Sequence, residues 1–443
     1  MPQNFIVCDR EQELLLPPSL RDWLPADHLV WFLLDAVEQI NLDEIYGSYR
    51  ADGWGRAAFD PGMMVTLLLY SYAIGERSSR AIERRCCEDV AFRVITANQI
   101  PDHVTIARFR VRHEQALAGL FDEVLKLCAH AGLASVGLLA LDGTKVKANA
   151  SLSATRTFGA ICQEMLSEAA AADAADDEQL GTGRRADQLP NDLADRSSRR
   201  ARLQRCQAEL YAAHSERQQA HAEALTERER WEARAGRKLG GRKPQAPAES
   251  ELEKSKLNLT DPDSRPMRDK VTPIQGYNAQ VIANTQQVII AAAVTQQAND
   301  SQQLEPMVKR AQGALQRAGV TEAVGTVVAD GGYFSRQAVE QVQKGGVSLL
   351  VPPFSERQAH RRQTATPKSE TARRMHAVLQ QPEAKANYRR RQQMVEPIFA
   401  QTKSLRRSDR FLRRGLTACE SEWQLIATTH NLLKLWRARR GGG

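Results

Sequence analysis

Residues 136–141 form an unbroken run of small and branched apolar side chains that ends on Asp142-Gly143. Such a run reads as a buried strand, and the carboxylate at its end is either a turn residue or a ligand. The same design recurs at 324–329, which runs into Asp330-Gly331-Gly332-Tyr333. A third acid, Glu396, lies among the arginines of 388–397. Taken singly, an Asp before Gly is usually a turn residue, and a Glu among arginines is usually a salt bridge. Two strand-end aspartates together with a glutamate in a basic helical segment suggest a hard-cation site for phosphodiester chemistry.

The order of elements tells how these acids could meet. After the first strand, residues 157–256 break the pattern with an acidic low-complexity stretch at 169–178, a long charged helical pattern at 191–235 and a Gly- and Pro-rich break at 240–247. Regular structure returns with two strands, 274–282 and 287–294, joined as a hairpin through Asn284-Thr285. A helix at 301–318, the strand 324–329, a helix at 335–344 and a strand at 347–351 follow, and an amphipathic helix at 422–437 closes the chain. This predicts an α/β fold with a mixed five-stranded sheet flanked by helices. The first and fourth strands could lie side by side, bringing Asp142 and Asp330 together. Asp261, Asp263 and Asp300 compete for the site, but the first two fall in a Pro-containing loop and Asp300 follows Asn299 in a turn-like or helix-capping context.

Residues 1–132 read as all helical. Asp27, Asp60 before Pro61, Ser78-Ser79 and Asp102 are the expected caps. The last two open helices presenting Arg80, Arg84 and Arg85, and then Arg108, Arg110, Arg112 and His113 along one helix at 105–125. Short helices with exposed arginines fit a helix-turn-helix-like DNA binder, although plain helical bundles carry them too. The predicted organisation is a helical N-terminal DNA-binding domain at 1–132, a catalytic core in two parts at 133–156 and 257–443, and a helical or linker insertion at 157–256.

Charge agrees with a polyanionic partner. The net formal charge is +8, and residues 355–414 alone hold 16 Lys and Arg against 5 Asp and Glu, leaving the rest slightly acidic. The seven cysteines have neither disulfide-framework nor zinc-site spacing. No signal peptide and no apolar run of spanning length is seen, so a cytoplasmic, nucleoid-associated protein with no membrane partner is expected.

Asp142-Gly143-Thr144 with 147–151, Gln275-Gly276-Tyr277-Asn278-Ala279-Gln280, Asp330-Gly331-Gly332-Tyr333, and Glu396 with Lys403 together resemble bacterial insertion-sequence transposases of the DDE class. Asp60-Pro61, Arg77-Ser78-Ser79-Arg80 and Pro101-Asp102-His103 resemble the helical domain that precedes the core in one group of them. The resemblance implies an RNase H-like core with Asp142, Asp330 and Glu396 as the catalytic, metal-holding triad, and two Mg²⁺ ions, with Mn²⁺ able to substitute. It also implies cleavage at the element's ends and joining to target DNA by a homodimer on double-stranded DNA. Around the glutamate such enzymes carry Tyr, two residues, Arg, three residues, Glu, six residues, Lys. Here Glu396 and Lys403 keep the spacing, while Arg391 and Glu396 have four residues between them instead of three and Tyr388 moves with Arg391. Tyr388, Arg389, Arg391, Lys403, Lys145, Lys147, Arg80 and Arg108 are the expected DNA contacts. Arg389, Glu396 and Lys403, seven apart, would share a helical face interrupted by Pro397. A catalytically inactive DNA-binding derivative and a metal-dependent nuclease are the alternatives.

Overall fold

The computed structural model describes residues 19–49, 58–164, 167, 194–238, 243–269, 272–353 and 369–441. The acidic stretch 169–178 lies outside them, as do residues 354–368 of the basic segment.

Seven helices open the described chain: α1 (Leu29–Glu38), α2 (Asp43–Gly47), α3 (Pro61–Ala73), α4 (Ser79–Glu88), α5 (Val90–Ile95), α6 (His103–Arg112) and α7 (Glu114–His130). Asp60 caps α3 by accepting from Met63 N at 2.8 Å, with Pro61 in the first turn. Asp102 caps α6 through Thr105 N at 2.8 Å. Two expectations need correcting. His28, not Asp27, caps α1 through Val30 N, and the helix expected at 105–125 is two helices. The break falls at His113, whose buried ring packs against Phe109 at 4.6 Å and reaches Tyr49 Oη at 3.2 Å.

Strand β1 (Leu138–Lys147) begins the sheet. A short pair, β2 (Thr155–Thr157) with β3 (Lys256–Asn258), brackets the long helix α8 (Ala194–Ala235) and the short α9 (Glu249–Lys254). A separate small cluster of Phe158, Ile161, Leu203, Cys206, Leu210 and Leu257 holds this region together. Then come β4 (Arg265–Asp269), β5 (Thr272–Asn284), β6 (Ile289–Thr295), α10 (Leu304–Arg317), β7 (Thr326–Ala329), α11 (Arg336–Lys344), β8 (Ser348–Leu350), α12 (Glu370–Gln380), α13 (Pro382–Phe399), a wide π-turn at Ala400–Leu405, and α14 (Leu416–Gly441).

The main sheet runs β4-β5-β1-β7-β8, with β6 also on β5. Thus β5 is antiparallel to β1 and β6, whereas β1, β7 and β8 are mutually parallel. The five expected strands are present in the arrangement of an RNase H-like core. The sheet has six strands rather than five, because β4 pairs with the first half of β5 while β6 pairs with the second.

Helix α14 was expected to close the fold as an amphipathic helix; instead it is buried almost all round from Ser421 to Leu432. One face lies on β6 and the other under α3 and α7. Its polar side chains are accordingly partnered. Glu422 takes Arg77 at 2.6 Å, Asn431 bonds both Ile289 N and Ile289 O at 2.8 Å, and Trp423 Nε1 donates to Gln280 O at 3.2 Å. A single hydrophobic cluster runs from Leu29 through the sheet to Leu435.

Candidate active site

The parallel pairing of β1 with β7 sets Leu141 opposite Ala329. Asp142 is the next residue of β1 and Asp330 the first after β7, so the two acids lie side by side where the parallel pairing stops. Strand β1 does not end there. It continues through Lys147 against β5 after β7 has turned away, and Asp142 sits where the parallel half of the sheet stops. Crevices at such strand ends are where open α/β sheets bind ligands.

Each acid is held by its own turn. Asp142 Oδ1 accepts from Gly143 N at 2.8 Å and its Oδ2 from Arg391 Nη1 at 2.8 Å. Asp330 accepts from Gly331 N at 2.6 Å, starting the turn Gly331–Tyr333. Burial pushes the Asp142 carboxyl up to about 6; Arg391 and the Gly143 N–H oppose that, and the charges of Asp330 and Asp300 add to it.

Asp300, set aside on sequence as a turn or cap residue, belongs to this neighbourhood. Gln303, not Asp300, stands at the N-cap position of α10, without a side-chain capping bond. Asp300 Oδ1 accepts from Asn278 Nδ2 at 2.7 Å and Gln280 Nε2 at 2.8 Å, with Lys145 Nζ at 3.5 Å. Gln280 Oε1 in turn accepts from the buried Tyr333 hydroxyl. The available signal was two amides at i and i+2, on one face of a buried strand. Their side chains cross directly over Gly143, so a Cβ there would have to push the Gln280 amide aside. Asp261 and Asp263 serve structure instead: Asp261 takes Tyr277 Oη and Gly415 N, and Asp263 takes Leu416 N at the start of α14.

The basic residues divide. Arg391 is buried, bonded to Asp142 and stacked on Tyr388 with 5.9 Å to the ring centroid. Lys403 folds onto β1, bonding Thr144 Oγ1 at 3.1 Å and Lys145 O at 2.9 Å. Lys147 pairs with Asp409 at 3.1 Å. Arg389 and Glu396 are exposed on α13, which packs on the sheet through Arg391, Met394, Val395 and Ile398. The expected common face of Arg389, Glu396 and Lys403 does not extend to Lys403, because the π-turn after Phe399 takes more residues per turn and rotates it away. Arg80 and Arg108 are exposed on α4 and α6.

The donor set is oxygen-rich and suits a hard divalent cation. Half-buried, mutually repelling carboxylates with a guanidinium already drawn onto one of them are the electrostatic setting such an ion relieves. Among the described residues, however, no three His, Cys, Asp or Glu side chains are gathered as a metal centre gathers them. The structure joins Asp142 and Asp330 and leaves Glu396 facing solvent on the neighbouring helix.

Residues 18–112 match the family described as Transposase domain (DUF772), and residues 220–432 match the Transposase DDE domain. The chain belongs to the DDE transposases. No curated protein and no solved structure matches it. The second match takes in Asp330, Glu396 and Lys403 but begins within α8, after Asp142, so the place of Asp142 rests on the sheet register. As a transposase, the chain is an enzyme of the polynucleotidyl transferase type; its family binds DNA and in general uses divalent metal ions. No described helix is long and apolar enough to cross a membrane.

Proposed function

We propose that this transposase cuts DNA at the ends of its element and joins the freed 3′-hydroxyl to target DNA, with Asp142, Asp330 and Glu396 as the acids that do the work. The observation that carries the proposal is the parallel register Leu141↔Ala329, which sets two carboxylates on neighbouring strands where their parallel pairing stops. Asp142 and Asp330 would hold Mg²⁺, with Glu396 supplied from α13; two such ions supply activation of the attacking oxygen and charge compensation at phosphorus. The protein's own part is positioning. Arg391 and Gly143 N fix the Asp142 carboxylate, and the Asn278–Gln280–Asp300 network fixes the strand beside it. Lys403 ties the far half of β1 to the turn that follows Glu396. With a cation held on Asp142, the Arg391 guanidinium beside it would be placed to meet a substrate phosphate. On this reading residues 1–132 bind the element's ends, 133–156 and 257–443 form the core, and two copies bring two ends together.

A second reading, a DNA-binding protein without catalysis, draws on the exposed position of Glu396 and the Arg391–Asp142 ion pair. One experiment separates them: cleavage and strand transfer on duplexes carrying the element's ends, with Mg²⁺ or Mn²⁺, for the wild type and for Asp142→Ala, Asp330→Ala and Glu396→Ala. The proposal expects all three variants to bind DNA yet neither cut nor join. Cleavage surviving in one variant removes that residue from the site; a wild type that binds and never cuts establishes the second reading.

A further inference from the structure

We infer that the joint outer face of α4 and α6 is the surface that reads base-pair edges in the major groove of the element's ends, with α6 entering the groove. The inference rests on the transposase reading and specifies which part of the chain distinguishes those ends from other DNA.

The two helices are tied together at two points. Arg110 Nη2 donates to Ser79 Oγ at 2.6 Å and Arg110 Nη1 to Arg77 O at 2.9 Å, while Glu83 Oε2 meets His103 Nδ1 at 2.7 Å and accepts from His103 N at 3.2 Å. Ser79 and Glu83 therefore mark the side of α4 that faces α6, and His103 and Arg110 the side of α6 that faces α4. Ile82 and Cys86 of α4, with Ile106 and Phe109 of α6, point into the core. At about 100° per residue, the exposed residues that remain are Arg80, Arg84, Cys87 and Glu88 on α4, and Val104, Ala107, Arg108, Val111 and Arg112 on α6. They lie on the side of the helix pair away from the core, with Glu88 as the one acid among them.

Two features of this face are chemically specific. The first is an apolar strip along α6: Val111 is 64% exposed and Val104 42%, with Ala107 between them. Isolated exposed apolar side chains are ordinary, but an aligned strip marks a contact surface. The second is the state of the arginines. Elsewhere in these helices they are occupied: Arg77 by Glu422, Arg85 by Asp89, Arg93 by Asn98 and the Trp23 ring, Arg112 by Ser48 O and the Tyr49 ring. Arg80, Arg84 and Arg108 have no hydrogen-bond or ion-pair partner among the described residues. The unpaired cations are the ones that flank the strip.

Cations bordering a narrow apolar strip complement duplex DNA. Phosphates lie along both rims of the major groove, and thymine methyl groups and guanine O6 and N7 lie on its floor, within reach of a helix. Val104, Ala107 and Val111 offer apolar contact to those methyl groups, Arg108 a bidentate contact to guanine, and Arg80 and Arg84 contacts to phosphate. A-form RNA hides its base edges in a deep, narrow major groove. A stable protein partner needs about 800 Å² from each side, far more than three small side chains present.

The test uses the full chain and fluorescence anisotropy without divalent metal, on short duplexes from the element's ends and on shuffled duplexes of the same composition. The wild type is expected to prefer the ends. Val104→Ser with Val111→Ser, both on the surface and so compatible with folding, is expected to narrow that preference about tenfold and leave shuffled-DNA affinity nearly unchanged. Arg80→Ala with Arg84→Ala is expected to weaken both duplexes alike and to lower the salt slope by about two. An unchanged preference in the valine variant overturns the inference, as does a wild type that shows none. So does a valine variant whose sedimentation shifts from dimer to monomer at constant DNA affinity, because the strip would then join copies of the chain. Since no metal is present, none of these outcomes depends on whether Asp142, Asp330 and Glu396 are catalytic.

Discussion

The strand-end acids and the outer face of α4 and α6 handle charge in opposite ways. Around Asp142 nearly every polar atom is tied within the protein: Arg391 on Asp142, Asn278 and Gln280 on Asp300, Tyr333 on Gln280, Lys403 on β1. On α4 and α6 three arginines are tied to nothing described. The first region spends folding energy to hold charges where bulk water would not leave them, which is what a reacting centre needs before substrate arrives. The second costs the fold nothing, and its charges find their partner only in another molecule. A mutation should therefore act through stability at one region and through binding at the other.

The largest effect should come where the two regions are joined. Arg77 belongs to the loop leading into α4, and its ion pair with Glu422 is buried in α14 beneath the sheet. Arg77→Ala leaves a buried carboxylate without its cation and should cost about 3–5 kcal/mol. A thermal melt followed by circular dichroism measures it, and a single transition shifted as a whole is expected, given the one continuous hydrophobic cluster. A second, separate transition would mean that the helices and the sheet unfold independently.

Next in size is Gly143→Ala. The amides of Asn278 and Gln280 cross over this residue, so the added methyl group must push them off Asp300, at about 1–3 kcal/mol. Denaturant unfolding gives the stability loss, and DNA cleavage should fall further than stability alone explains.

How much of this the sequence declared depends on how far each residue's partner lies along the chain. Asp142 and Asp330 were legible because each follows its own apolar strand, and a parallel register is the only further condition. Five of the six strands and the pairing of the first with the fourth were readable from the alternation of elements; the edge strand β4 was not. The break at His113 was not, since residues 105–125 are uniformly helical in pattern and the interruption is made by Tyr49, 64 positions away. Nor was the burial of α14. Its polar residues look solvent-facing until Arg77 and Ile289 meet them. Asp300 was passed over because a Asp after Asn invites a capping explanation, whereas its donors Asn278, Gln280 and Lys145 come from two other strands. The orientation of Lys403 failed for a local reason, a π-turn that no residue spacing announces.

Asp142→Asn should move stability the other way. The folded carboxyl titrates at about 6 against an ordinary 3.8, so the fold binds this proton more readily than the unfolded chain does. That contribution to stability is complete below the unfolded value and is lost as pH rises through about 6. At pH 7 the wild type carries the full penalty of an ionised, buried Asp142, and the amide, which keeps an oxygen for Arg391, should be more stable by about 1–2 kcal/mol. Melting both proteins at a series of pH values checks the sign: the advantage of the variant should shrink steadily as pH falls from 7 toward 4. A constant advantage would place its origin elsewhere than in the carboxyl proton.

The smallest effect on the fold is expected at the other region, and it decides whether the contrast holds. Arg80→Ala with Arg84→Ala removes two charges that have no partner among the described residues, so melting should stay within about 0.5 kcal/mol of wild type at every pH. Taking a charge from the strand-end site changes stability in a pH-dependent way, while taking two from α4 should leave it unchanged and alter only the response of DNA binding to salt. If the double variant melted much lower, those arginines would be holding the helices together, and their freedom to meet phosphate would no longer explain why they are left unpaired.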